Sequence, residues 1–213
     1  MCLIQYVKKK YIFRDLFWNE DMKKILLIII SALILVSCSK VNVVDDIEIN
    51  QIKSNYPVIL KLREDGTACA TMFPLAFNLS KKTLRKIRIS DPSNFFHVGP
   101  LPTTKKLFLK DGNDLIYPSY EQKELRFKTQ EWVVYVQYFN ISKEQHMQQL
   151  FSHYLERAKA EHKDTLHIGN IQQLKQSAPE LLNKFLQGDS IRLNFYYQYN
   201  DYYYNIILPV EIK

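Results

Sequence analysis

The stretch from Trp132 to Ile141, WVVYVQYFNI, constrains this chain more than any other, because it offers apolar side chains to both faces of a strand. In extended backbone, successive side chains point to opposite faces. Trp132, Val134, Val136 and Tyr138 therefore share one face, and Val133, Tyr135 and Phe139 share the other. A strand at the surface of a domain alternates apolar with polar residues, whereas one without that alternation belongs inside a sheet, with cover above and below. The segment is therefore expected to be a central strand, covered at least in part on both of its faces.

The preceding sequence supplies candidate strands. Val58 to Glu64 and Thr67 to Phe73 flank Asp65-Gly66, a dipeptide suited to the left-handed geometry of a two-residue type I′ turn. Pairing about that turn sets Leu62 opposite Cys69, Leu60 opposite Thr71 and Val58 opposite Phe73. Cys69 then sits in an apolar row, and its expected role is a buried small hydrophobe. Further strands are predicted at Leu84 to Ile89, Lys105 to Lys110, Asp114 to Tyr117 and Glu124 to Thr129, punctuated by turns at Asp91-Pro92, Gly99-Pro100 and Asp111-Gly112-Asn113. The last of these lacks the ligand spacing and closing glutamate of a calcium loop, so it reads as a hairpin turn.

Cover for the second face of the central strand is expected from the residues that follow it. Ser142 with Gln145 makes a capping box, and Met147, Leu150, Phe151, Tyr154, Leu155 and Ala158 form one stripe at helical spacing, giving an amphipathic helix to about residue 161. After Gly169, Ile171 and Leu174 mark a short helical piece. Ser177 with Glu180 repeats the capping box, Pro179 sits in the first turn, and Leu181, Leu182, Phe185 and Leu186 form an apolar face before Gly188. Ser190 to Ile212 is nearly all β formers. A two-residue turn at Asn200-Asp201 pairs Tyr199 with Tyr202, Tyr197 with Tyr204, Phe195 with Ile206, Leu193 with Leu208 and Ile191 with Val210, so that every apolar pair falls on one face. The predicted architecture is one α+β domain over residues 56–213, an antiparallel β-sandwich-like arrangement with a helical insertion at 142–188 before the C-terminal hairpin. A single sheet with all helices on one face is the alternative.

The N-terminal part follows a different logic. Ile25 to Val36 is an apolar run of twelve residues, shorter than the roughly 20 a membrane-spanning helix needs and without the polar face of a core helix. Lys23 and Lys24 precede it behind Met22, and Leu35-Val36-Ser37-Cys38 closes it. With charge, apolar stretch, small residue and cysteine in that order, residues 22–39 resemble the signal peptide and lipobox of bacterial lipoproteins. The resemblance implies cleavage before Cys38, diacylglycerol on its sulfur and acylation, as by palmitate, of the new amine. It places the protein in the cell envelope, lipid-anchored to a membrane and specifically to the outer membrane, on its periplasmic or exterior face. At about 0.8 kcal/mol per buried methylene, two or three acyl chains hold firmly where one does not. On the same reading, Met1 to Asp21 is an extension ahead of the true start. Residues 38–55, polar and carrying Asp45, Asp46 and Glu48, form a flexible tether. Those acids resemble the surface-export signals of some Gram-negative lipoproteins.

Composition then bounds the function. Without residues 1–37 the chain has 176 residues, enough for one domain with a real core, and 23 Lys or Arg against 19 Asp or Glu, a net charge of +4. That excess is too small for a nucleic-acid footprint. The basic cluster Lys81, Lys82, Arg85, Lys86 and Arg88 reads as a solvated strand face, with anionic lipid head groups as the competing reading. Cys38 and Cys69 are the cysteines of that part, and with Cys38 lipidated no intramolecular disulfide is expected. The five glycines are too scattered for a phosphate loop, and the sequence has no His-Glu-x-x-His, Cys-x-x-Cys or Gly-x-Ser-x-Gly pattern. His146 and His153 lie two helical turns apart, about 10.5 Å, too far to share a metal, so neither metal nor cofactor is expected. What is left is the outer face of the last hairpin. There Tyr196 and Tyr203, diagonal to one another, and Arg192 are the candidate ligand-binding residues, edged by Asn194, Gln198 and Asn205. Flat aromatic surface rimmed by hydrogen-bonding groups suits a sugar ring or a protein partner, unless helices cover it. The expected function is a non-enzymatic binding or assembly module whose partner is a glycan or an envelope protein. An extracytoplasmic hydrolase whose site assembles only in three dimensions is the alternative.

Overall fold

The structure, a computed structural model, describes residue 24 and residues 43–96, 102–139, 141, 145–198 and 202–212. Residues 1–42 form one unit of the chain and Val43–Lys213 another. The lipobox, Leu35 to Cys38, lies outside the described residues, and the elements below belong to the second unit.

In chain order these are α1 (Val43–Asp46), β1 (Ile47–Ile52), β2 (Ile59–Leu62), β3 (Ala68–Lys81), β4 (Ile87–Phe96), β5 (Pro102–Asp111), β6 (Asp114–Ile116), β7 (Gln130–Phe139), α2 (Gln145–Leu150), α3 (Ser152–Ala160), β8 (Thr165–His167), α4 (Ile171–Ser177), α5 (Pro179–Phe185), β9 (Ser190–Tyr197) and β10 (Tyr202–Pro209). One sheet runs β6-β5-β7-β3-β2-β8 with β1 also on β3, and a second runs β10-β9-β4. Every pairing is antiparallel, and the class is α+β, as the periodicities predict.

The central strand is where its pattern requires. β7 lies between β5 and β3, and Trp132 through Tyr138 are all buried. Its neighbour β3 is 14 residues long and pairs with β7 along one edge. Along its other edge β2 and β1 lie end to end, β2 on residues 68–72 and β1 on residues 76–81. Pro74 falls in the interval between them. A proline inside a sheet is tolerated only where no neighbour needs its missing N–H, and the break between β1 and β2 is such a place. Residues 47–52, expected to belong to a tether, are thus a strand of the main sheet. Their alternation of Ile47, Ile49 and polar residues was hidden by the acids beside it.

The β2–β3 hairpin corrects the expected turn and the expected place of Cys69. The Gly66 N–H donates to the Arg63 carbonyl at 2.9 Å, the Arg63 N–H to the Thr67 carbonyl at 2.9 Å, and Gly66 has φ +77°. This is a three-residue connection, a type I turn followed by a left-handed glycine, rather than a two-residue I′ turn. The extra turn residue is compensated by a bulge: Leu62 pairs with Ala68, Lys61 with Ala70, and Cys69 is the residue left over. Leu60 therefore pairs with Thr71 as expected. Cys69, however, is only half-buried, its Sγ 3.4 Å from the Lys61 carbonyl that accepts from it.

Two other expectations change. Asp91-Pro92 is not a turn but part of the irregular stretch of β4 where its register with β9 shifts. Residues 125–129 form no strand, and only Glu124 bridges to Arg88. Gly99-Pro100 lies outside the described residues, while Gly112-Asn113 makes the expected tight turn between the paired Asp111 and Asp114.

The predicted long helix is two, α2 and α3, separated at the wholly buried Phe151. Its expected cap, Ser142, lies outside the described residues. α4 is capped by Asn170, whose side chain accepts from the Gln173 N–H while the Gln173 side chain accepts from the Asn170 N–H, both at 2.9 Å. The capping box expected at Ser177 and Glu180 is absent, because the Ser177 hydroxyl donates back to the Gln173 carbonyl at 3.0 Å. Pro179 opens α5 as expected.

The main core lies on the Trp132 face of the larger sheet. It joins Trp132, Val134, Val136 and Tyr138 to Phe73, Leu75 and Phe77 of β3, to Met147, Phe151, Leu182 and Phe185 of the helical segment, and to Leu193 and Phe195 of β9. The helices thus pack on this face, not on the Val133 face where they were expected. Apolar area decides the matter: the Trp132 side also carries four large side chains of β3, whereas the other side has a small cluster of Met72, Ala76, Val133 and Tyr135. Among the described residues, what packs on that cluster comes from the sheet itself and from the β1–β2 connection, including Ile52 and Tyr56.

Candidate binding face on the smaller sheet

Strand β9 alternates cleanly. Ile191, Leu193, Phe195 and Tyr197 enter the core, while Arg192, Asn194 and Tyr196 face outward. β10 pairs Tyr197 with Tyr202, Tyr196 with Tyr203, Phe195 with Tyr204, Leu193 with Ile206 and Ile191 with Leu208. This differs by two residues from the expected register, because four residues, 198–201, rather than two separate the paired ends. The turn itself, Asn200-Asp201, lies outside the described residues. A slip of one would have exchanged the faces, but a slip of two preserves them. Phe195 stays in the core, Tyr203 stays outside, and Tyr196 and Tyr203 become direct neighbours rather than diagonal ones.

The outer face of this sheet is organised in rows. Arg88 of β4, Tyr196 of β9 and Tyr203 of β10 form one, and Ser90, Asn194 and Asn205 form the next. The Tyr196 and Tyr203 rings lie 5.0 Å apart with their planes inclined at 44°. Tyr203 is 66% exposed and Tyr196 half-buried. Asn194 is mostly buried and donates to the Asp91 carbonyl at 2.9 Å, pinning β9 to the irregular part of β4. Arg192 shares the face but stands four residues along the strand from Tyr196, about 13 Å at strand rise. Of the three candidate residues, the fold brings the two tyrosines into contact and sets the arginine apart.

Arg88 is the residue that reading the hairpin alone misses. Its guanidinium lies 4.0 Å from the Tyr120 ring centre and donates to the Tyr120 hydroxyl at 2.7 Å. Tyr120 is held there by a tight loop in which the Ser119 N–H donates to the Gln122 side chain at 2.8 Å and Lys123 pairs with Asp91 at 3.0 Å. The neighbouring Glu121 carboxyl is kept below its ordinary value by its own backbone N–H and by the Ser119 hydroxyl, with a smaller contribution from Arg88. The Nε of Arg88 is buried and has no hydrogen-bond partner among the described residues. The sequence signal for Arg88 was the strand alternation Ile87, Arg88, Ile89, Ser90, but nothing local linked it to Tyr120.

The basic cluster that contains Arg88 is not a uniform cationic patch. Lys81 reaches Glu124 at 3.6 Å and lies over the Phe127 ring, Lys82 reaches Glu48 at 3.7 Å, and Arg85 reaches Asp46 at 3.2 Å. Three of its five cations thus face a carboxylate, which reduces the net field available to an anionic surface.

An open groove of about 840 Å³ lies between α3 and the α4–α5 segment, lined by residues that include His153, Arg157, Gln173, Ser177 and Glu180. The groups with displaced titration lie elsewhere. Tyr138, Tyr135 and Tyr197 are raised, chiefly by burial, and Asp65 and Glu161 are lowered, chiefly by side-chain hydrogen bonds. Among the described residues no three His, Cys, Asp or Glu side chains converge as metal ligands, and His146 and His153 are both exposed. No described helix is long and apolar enough to cross a membrane. Compared with protein-family models, with curated proteins and with solved structures, the chain matches none.

Proposed function

We propose that this chain is a bacterial envelope lipoprotein, anchored to the outer membrane through lipid on Cys38, whose folded unit is a non-enzymatic binding or assembly module. The ordered succession Lys23-Lys24, apolar run, Ser37 and Cys38 supports the anchor. So does the start of the compact unit at Val43, within a few residues of Cys38. With the larger and smaller sheets both contributing to one core, the domain is best regarded as sandwich-like.

The observation that carries the binding reading is the row Arg88, Tyr196 and Tyr203 on a face that points away from the core and its helices. The paired tyrosine rings, inclined at 44° to one another, offer apolar surface with hydroxyls at its edge, and Arg88 borders them in the same row. A pyranose ring has the matching chemistry, an apolar C–H face and peripheral hydroxyls, so the proposed ligand is an envelope glycan. A protein partner is the second occupant that such a surface admits. Binding of the full-length protein to a panel of envelope polysaccharides tests this. Tyr196→Ala should weaken binding of the polysaccharide that wild type retains by about tenfold, the equivalent of 1.4 kcal/mol. Retention of wild-type affinity by Tyr196→Ala and Arg88→Ala alike would refute the assignment of the site.

A further inference from the structure

We infer that the free edge of β10 is an interface for a second copy of this chain, the two β10 strands pairing antiparallel about a two-fold axis so that two three-stranded sheets become one. The inference goes beyond the binding face, since edge pairing leaves that face open.

β10 pairs with β9 on one side and, among the described residues, with no strand on the other. An edge strand presents a row of backbone donors and acceptors, and natural proteins blunt such edges with charge, brevity or a covering segment. Among the described residues the other sheet margins are blunted, that of β4 by residues 123–125, where the Ile89 N–H donates to the Lys123 carbonyl at 3.0 Å and the Leu125 N–H to the Ile87 carbonyl at 2.8 Å. β6 and β8 are three residues each. β1 is tied down where the Gln51 side chain exchanges hydrogen bonds with the Glu211 backbone at 2.6 and 3.0 Å. β10 has none of these devices: it runs for eight residues, Tyr202–Pro209, with no charged side chain and a proline only at its end.

The occupant follows from the strand's own sequence. An antiparallel pairing of β10 with itself centred on Asn205 places Tyr202 opposite Leu208, Tyr203 opposite Ile207 and Tyr204 opposite Ile206, and Asn205 opposite its own copy. Each aromatic ring meets an aliphatic side chain, a favourable cross-strand pair. Self-pairing of a charged strand tends to bring like charges together, whereas this neutral strand meets no repulsion from its copy. The register also keeps matching faces together. Tyr204, Ile206 and Leu208 are half-buried against the main core, at the margin where its cover ends. In the pair, both inner rows close over that margin.

The test uses the full-length chain in non-denaturing detergent, with mass measured by sedimentation equilibrium. Wild type should be a dimer, and a monomer at all accessible concentrations would overturn the inference. Asn205 is exposed, so Asn205→Lys should keep the fold, verified by circular dichroism. It should raise the dimer dissociation constant about tenfold or more, by opposing two lysines across the axis. Asn205→Asp should do the same. Mixing the Lys and Asp variants should restore the dimer, because each lysine then meets an aspartate. A dimer unaffected by either charge would place the interface elsewhere, and failure of the mixture to recover would exclude the Asn205-centred pairing.

Discussion

At Tyr138 a single hydroxyl joins two parts of the core. It lies 2.5 Å from the Phe185 carbonyl, which accepts from it, and 3.1 Å from Asp189 Oδ2, tying the central strand to the end of α5. Tyr138→Phe keeps the ring and removes the oxygen, and should cost about 1–3 kcal/mol in urea denaturation. Tyr135, on the opposite face, is displaced chiefly by burial, which pushes its phenol up to about 12, with a smaller effect of Tyr56. Its folded pKa thus lies above the unfolded value of about 10. The folded state holds that proton more tightly, so the contribution is complete below pH 10 and is lost as pH rises toward 12. The melting temperature should fall over that window, and less steeply in Tyr135→Phe. Cys69 shows where residue-level reading stops. Its apolar neighbours and the Asp65-Gly66 signal were legible, but a one-residue change in turn length compensated by a bulge turned the side chain out of the core. Because it is half-buried, native Cys69 should react with a maleimide, as peptide mapping would show. Cys69→Ser should change stability by no more than about 0.5 kcal/mol.

At the scale of elements, periodicity identified most strands and the helical stripe, while length and punctuation were less legible. The central strand, the apolar faces of α3 and α5, and the inward row of β9 all follow from side-chain spacing, because burial selects for it directly. The extra two residues in the β9–β10 loop left no such mark, since a register slip of two keeps every side chain on its face. Nor could the sequence show that Asp91-Pro92 would be absorbed as an irregularity within a strand, or that a three-residue β8 would find β2. The candidate site was legible as a pair of tyrosines but not as a row, because Arg88 and Tyr120 reach it from other parts of the chain. The hairpin gives a direct test of face assignment. Phe195 is wholly buried, and Phe195→Ala should cost on the order of 3–5 kcal/mol. Tyr196, half-buried against Tyr203, should cost about 1 kcal/mol when replaced by alanine. Comparable losses at both positions would mean that the outer face is buried as well.

For the whole molecule, the lipid-anchor proposal predicts that Cys38→Ala moves the protein from washed membranes to the soluble fraction and abolishes incorporation of labelled palmitate, with the circular dichroism of the folded unit unchanged. Equal membrane retention of the variant would refute it. The pairing of β1 with β3 also has a mechanical meaning. β1 begins at Ile47, close after the chain enters the folded unit at Val43, and its six residues pair with the far half of the longest strand, Ile47 with Lys81 through Ile52 with Ala76. A load entering through Val43 and directed along β1 acts on all these pairs at once when it is resisted at the Ala68 end of β3, but opens them one after another when resisted at the Lys81 end. Single-molecule pulling between positions 43 and 68 should therefore require a larger rupture force than pulling between 43 and 81. The same six pairs would make the fold resistant to a load shared along β1 and yielding to one that peels β1 away from its Lys81 end.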